Sequence, residues 1–151
     1  MDMQACLKLV SQLPVHTMPE NYGWEDDNGD SPPVVLLTDV GFKNVSDGLH
    51  KEWGEYCLPK DFDNRLFLFG KKGRSQTKLM RVDPERVVVA QRFLDRNHLI
   101  RNIKHRYCQT VKLLQCGDYY VVRDGHHRLA ACHLMNKAVL VKVRRLYLER
   151  E

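Results

Sequence analysis

Tyr119-Tyr120-Val121-Val122-Arg123-Asp124-Gly125-His126-His127-Arg128-Leu129-Ala130-Ala131-Cys132-His133-Leu134-Met135 is the stretch on which the fold of this chain is read. Its opening is aromatic and β-branched, as strands tend to be. From Leu129 onward it holds good helix formers and neither Gly nor Pro. Between the two lies Asp124-Gly125-His126-His127-Arg128, where a strand is expected to turn directly into a helix. Such a junction makes an anion site, because the first N–H groups of a helix lack intrahelical partners and a residue without Cβ lets a ligand approach the backbone. Arg128 adds a bidentate partner for phosphate or carboxylate, while His126 and His127 can donate, accept or shuttle protons near neutral pH. Asp124, His126 and His127 are the candidate catalytic groups; Gly125, His126, His127 and Arg128 are the candidate phosphate-binding groups.

The same five residues also read as a plain turn and cap with solvated first-turn side chains, since Asp and Gly are common there. Two His and an Arg fit that reading less well. Positive charge at a helix N-terminus opposes the macrodipole by about 0.3 to 1 kcal/mol per group, and a bound anion relieves the conflict. His133 lies two turns beyond His126, about 10 Å along the axis, too far to share one metal ion. It is read as a packing or surface residue, His98, His105 and Cys108 as helix-face residues, and no metal site is expected.

Upstream, residues 2–13 place Met3, Cys6, Leu7, Val10 and Leu13 on one stripe, a short helix ended by Pro14. Residues 19–33 carry Glu20, Glu25, Asp26, Asp27 and Asp30 among Asn, Gly, Ser and Pro, an exposed acidic loop without the full EF-hand spacing. Residues 34–40 and 65–69 are strand candidates, and Gly70-Lys71-Lys72-Gly73-Arg74 is a glycine-bracketed basic turn whose charge continues at Lys78 and Arg81. Residues 82–90 contain a further apolar run. Phe93, Ile100, Ile103 and Tyr107 recur at helical spacing and predict an amphipathic helix over residues 95–107. Residues 111–115 and 119–123 flank Gly117-Asp118, a pair suited to a type II′ hairpin. Asn136 stops the last helix, and Val139, Val141 and Val143 alternate in a closing strand.

At 151 residues the chain suits one domain with a core that needs neither disulfides nor a structural metal. No apolar run approaches a membrane span and no secretory signal is evident, so a cytoplasmic location is expected, with no membrane partner. The five Cys are odd in number and never in C-x-x-C spacing, which points to reduced thiols that mostly pack. The net charge of +5 conceals an asymmetry: residues 1–63 hold four Lys and no Arg against twelve Asp and Glu, a net −8, leaving +13 for residues 64–151. The basic half points to a polyanionic partner, nucleic acid or nucleotide, contacted by Lys71, Lys72, Arg74 and Lys78. The acidic half suits a separate protein partner.

From residue 82 the order is apolar strand, basic helix, β-hairpin, glycine turn with Arg, Ala-rich helix and final strand. This order resembles the ParB/sulfiredoxin superfamily over about residues 82–146. Val82-Asp83-Pro84-Glu85-Arg86-Val87 is similar to that family's opening strand, Gln91-Arg92 lies where ParB proteins often place Gln and Arg, and residues 119–131 resemble the segment ending in Gly-Glu-Arg-Arg. The resemblance implies an α/β fold of the α+β kind, a small mixed sheet with packed helices. It also implies a domain over residues 71–151, with residues 1–70 as an acidic N-terminal extension packed on or beside the core in one compact unit.

What the resemblance implies for function divides by branch. ParB proteins use the matching turn to hold nucleotide triphosphate and act on DNA, some relatives are nucleases, free-serine kinases transfer phosphoryl with an Asp-Gly-His motif, and sulfiredoxin places a reactive Cys in its turn. Here His126 occupies that Cys position, so reduction of a sulfinic acid is not expected. The expectation is a ParB-like protein that binds ATP or CTP, with Mg²⁺, through Gly125, His126, His127, Arg128, Gln91 and Arg92, and engages nucleic acid through its basic half. Nuclease or nucleotide-hydrolysing activity would use Asp124, His126 and His127. The alternatives are a small-molecule kinase of the amino-acid type and a non-catalytic interaction protein retaining the fold.

Overall fold

The computed structural model describes residues 2–17, 24, 30–46, 56–105 and 110–148. The chain runs through α1 (Met3–Gln12), β1 (Val34–Leu36), α2 (Leu37–Val40), β2 (Asn44–Ser46), β3 (Tyr56–Cys57) and α3 (Asn64–Phe69). It continues with β4 (Lys71–Met80), β5 (Val87–Val89), β6 (Phe93–Asp95), α4 (Arg96–Lys104), β7 (Val111–Cys116), β8 (Tyr119–Asp124), α5 (His126–Leu134) and β9 (Val139–Tyr147). Three helices open on an aspartate: the carboxylate of Asp2 accepts from the Ala5 N–H at 2.7 Å, that of Asp63 from Leu66 at 3.0 Å, and that of Asp95 from Asn97 at 2.9 Å. Each satisfies an N–H with no partner inside its helix.

The result is a mixed α/β architecture around a seven-stranded sheet in the order β3-β2-β5-β8-β7-β9-β4, with β1 and β6 forming a separate antiparallel pair. Pairing is parallel for β2 with β5, β5 with β8 and β7 with β9, and antiparallel elsewhere in the large sheet. Strand alternation divides the side chains between two faces. One face packs Val87, Leu113, Val122 and Val141 against Cys6 and Val10 of α1, Leu99 and Ile103 of α4, and Leu129 and Leu134 of α5. The other packs Val88, Leu114, Cys116, Tyr119, Val121 and Leu146 against Phe62 and the partly buried Leu66 and Phe67 of α3. Beyond α3 no described element covers that second face, and Lys112, Arg123, Lys142 and Arg144 project from it exposed.

The N-terminal helix, the hairpin, the Asn136 stop and the closing strand fall where the sequence places them. Gly117 has φ +62° and Asp118 does not share a positive φ, as a type II′ turn requires. Asn136, at φ 54°, is the left-handed residue after the last helix.

Three expectations need correction. Residues 34–40 are strand only to Leu36; the chain then makes a helical turn closed by Gly41 at φ +117°. Residues 65–69 are helix, not strand, because Asp63 caps them. Residues 70–74 are no turn: Lys71 begins a ten-residue strand, and Gly73 sits in the register shift between Lys72 and Ser75, where a Cβ would come within 2.6 Å of the Tyr147 ring. Glycine inside a strand marks just such a bulge or close approach.

The helix expected over residues 95–107 ends at Lys104, with Tyr107 and Cys108 outside the described residues. Glu20, Glu25, Asp26 and Asp27 lie outside them too, while Asp30 is exposed. Within residues 1–70, Cys6, Val10, Val35, Phe42 and Val45 are buried in the same core as Leu129. The free thiols of Cys6 and Cys116 are buried, Cys132 is half-buried and Cys57 exposed. Among the described residues no helix is long and apolar enough to cross a membrane.

Candidate functional site

β8 passes into α5 through a single residue. Gly125 takes φ +96° and ψ 31°, left-handed geometry that side chains strain to adopt, and a Cβ there would meet Val111 Cγ2 at 3.1 Å. The glycine is therefore demanded by backbone shape and by the neighbouring strand as much as by any ligand. No side chain caps α5, and its first turn holds no acidic residue. A pocket of about 320 Å³ at its start is lined by Ala90, Gln91, His98, Asn102, Arg123 and residues 124–128.

The two imidazoles of that turn are spent on structure. Ala90, just after β5, donates its N–H to His126 Nε2 at 2.9 Å, and Asp95, the last residue of β6, donates its N–H to His127 Nε2 at 2.9 Å. An imidazole that accepts through Nε2 is neutral and carries its proton on Nδ1. Burial pushes the His126 pKa down to about 3, with His127 adding to the effect. Burial also lowers that of His127 to about 4, aided by His98 and Arg101 and opposed by Asp95. The His98 and His127 rings stack, 4.3 Å between centroids, and Trp24 lies 5.9 Å from His127 on centroids.

The expected conflict between charged histidines and the helix dipole is therefore absent, and the positive charge of this turn comes from Arg128. General-base duty by either imidazole would first require giving up a backbone hydrogen bond. Arg128 itself is half-buried, and its Nε is fully enclosed with no hydrogen-bond partner among the described residues. A buried donor left in that condition costs about 1 to 3 kcal/mol. The guanidinium lies between the α5 pocket and a second hollow lined by Asn102, Lys104, His105, Cys132 and Lys137.

Gln91 lines the pocket as expected, and its amide donates to the Phe93 carbonyl at 2.7 Å, which shapes the loop from β5 to β6. Arg92 does not line it; its guanidinium lies over the Phe93 ring, 5.1 Å from the centroid. Of the basic cluster, Lys71, Lys72 and Arg74 are exposed on β4. Lys78 is half-buried with its ammonium over the Tyr120 ring at 5.5 Å. His133 packs on Phe42, 5.3 Å between ring centroids, as a packing residue should.

His98, Asn102 and Arg123 complete the pocket lining; the sequence marks His98 as a helix-face residue and does not single out the other two. The first two are four apart on α4, hence on one helical face, and Arg123 precedes the turn; both signals were legible once α4 was known to pack on α5. Among the described residues no group of His, Cys, Asp and Glu side chains is placed to hold a metal ion. Compared with known protein families, curated proteins and solved structures, the chain matches none.

Proposed function

We propose that this protein is a ParB/sulfiredoxin-type α/β domain that binds a phosphate-bearing ligand, a nucleotide such as ATP or CTP, at residues 124–128, and that its basic half engages nucleic acid. The observation that carries the reading is the enclosed Arg128 Nε without a partner among the described residues, two residues after His126, which opens a helix that no side chain caps and lines the same pocket. An oxyanion there takes hydrogen bonds from backbone N–H groups and a charged fork at once. Gln91 and Asn102 supply neutral polar contacts for the rest of the ligand. The order of elements from β5 to β9 fits the family resemblance of residues 82–146.

Catalysis, in this reading, falls to Asp124 rather than to the histidines. It is exposed and, among the described residues, is the one carboxylate lining the pocket, positioned to orient a nucleophile or to share a Mg²⁺ ion that arrives with the phosphates. That same observation favours, as the second reading, a small-molecule kinase. Hydrolysis of the nucleotide in water and transfer to an amino-acid hydroxyl are told apart by which of the two raises ADP release.

Thermal shift with ATP, ADP, CTP and GTP, with and without Mg²⁺, tests the proposal. A ligand at about a hundred times its Kd should raise Tm by roughly 5 to 10 °C. Arg128→Ala should fold and melt near wild type yet bind the same nucleotide roughly ten- to a hundred-fold more weakly, the loss of one charge-assisted contact. Equal affinity in variant and wild type, or no shift with any nucleotide, removes the anion site and leaves a non-catalytic interaction protein.

A further inference from the structure

The open face of β4, β9, β7 and β8, on the side of the sheet away from α5, carries a trough of about 490 Å³. Lys72, Lys112, Arg123, Lys142 and Arg144 line it with Ser75, and among the described residues no carboxylate does. None of the five cations is ion-paired among the described residues. Strand register forces them together: Lys112 stands directly beside Lys142, and Arg144 stands beside Ser75. The Arg144 guanidinium is further fixed by donating from Nε to the Gly73 carbonyl at 3.0 Å.

Adjacent strands lie about 4.8 Å apart and alternate residues along one strand about 6.8 Å apart, so the cations form a grid on the scale of successive phosphates. Like charges directly opposite each other across a ladder cost stability, and a face needed only for solubility would mix signs. Arg123 lines this trough and the α5 pocket alike and so stands at the margin of both.

We infer that this face is the track for the phosphodiester backbone of a nucleic-acid strand, and that Arg123 joins it to residues 124–128, so that a phosphate at the strand's end reaches the α5 turn. The track stands on the trough alone; its end point rests on the proposed function above. Among the described residues no aromatic side chain lines the trough, and contacts to phosphates carry no sequence information, so binding is blind to sequence. The residues differ from the basic segment singled out in the sequence. Lys72 is shared, Lys78 is turned onto Tyr120, and Lys112, Lys142 and Arg144 come from strands that the sequence scatters.

Fluorescence anisotropy with short single-stranded oligonucleotides bearing 5′-phosphate, 3′-phosphate or hydroxyl ends, over about 50 to 200 mM salt, tests both parts. Wild type should bind different sequences alike, and one phosphorylated end more tightly than hydroxyl ends. The triple variant Lys112→Gln, Lys142→Gln, Arg144→Gln should lower low-salt affinity at least ten-fold and flatten the log–log salt slope by about 2, three contacts at about 0.7 each for a single strand. Its circular dichroism should match wild type and its Tm should not fall, since all three side chains are exposed and two of them repel each other across the ladder. Arg128→Ala should erase the preference for a phosphorylated end and leave the slope almost unchanged.

The track is overturned if wild type binds no oligonucleotide at the lowest salt, if the triple variant keeps the wild-type slope, or if an oligo-glutamate peptide binds better than the oligonucleotides. A flattened slope in the triple variant, with no nucleotide binding and no end preference in wild type, upholds the track and sinks the reading of the turn. Nucleotide binding lost in Arg128→Ala, with the triple variant behaving as wild type, does the reverse.

Discussion

Gly125 shows how one residue carries two constraints. Its φ of +96° excludes most side chains at a cost of about 1 to 3 kcal/mol, and Val111 blocks the space a methyl would fill. Gly125→Ala should lower the urea midpoint by that order of stability and displace the start of α5, weakening any ligand held there. A midpoint equal to wild type would mean that the turn relaxes without strain. The glycine and its neighbours were legible in sequence because turn chemistry is local. The role of the imidazoles was not, because their partners, the amides of Ala90 and Asp95, lie 36 and 32 residues away along the chain.

At the scale of elements, α5 is a helix pinned at its first turn to the ends of β5 and β6 by neutral histidines. Their folded pKa values, about 3 and about 4, lie below the ordinary 6.5. Protons are therefore taken up by the unfolded state first. The stabilisation is present above about pH 6.5 and is lost as pH falls toward 4 and then 3, at on the order of 1.4 kcal/mol per pH unit per group. Denaturant midpoints measured from neutral to mildly acid pH should fall accordingly. The double variant His126→Gln, His127→Gln should start lower and fall less, and an equal slope in both proteins would show that these imidazoles do not drive the loss.

The misread elements have a common cause. Leu66, Phe67, Leu68 and Phe69 are apolar without helical or strand periodicity, and the deciding signal was the cap at Asp63. The glycines of residues 70–74 read as a turn because nothing in sequence shows Tyr147 lying against Gly73 from the neighbouring strand. Where periodicity ran long, as in α1, α4 and β9, the elements were found. Where tertiary neighbours decided, they were not.

For the whole molecule, the −8 and +13 segments share one core, and an ion pair between Lys43 and Glu85 spans the boundary. Glu20, Glu25, Asp26, Asp27 and Asp30 supply five of the twelve acidic residues of the −8 segment. Replacing Glu20, Glu25, Asp26, Asp27 and Asp30 by Gln or Asn should strengthen polyanion binding at low salt. The gain should fade as the Debye length shrinks below about 10 Å. Identical affinities at every salt concentration would assign the acidic stretch to a different partner.

Among the described residues the ten-residue β4 is the outermost strand of the large sheet, with β9 as its neighbour on one side. An unpaired strand of that length is a template for another copy of the chain, and lysines along it are a common guard. Lys71, Lys72 and Arg74 give that guard here. Whatever neutralises them, acetylation or a tightly held polyanion, also removes the electrostatic barrier between two such edges. Self-association through β4 thereby becomes coupled to the charge state of the strand, and colloidal behaviour to occupancy.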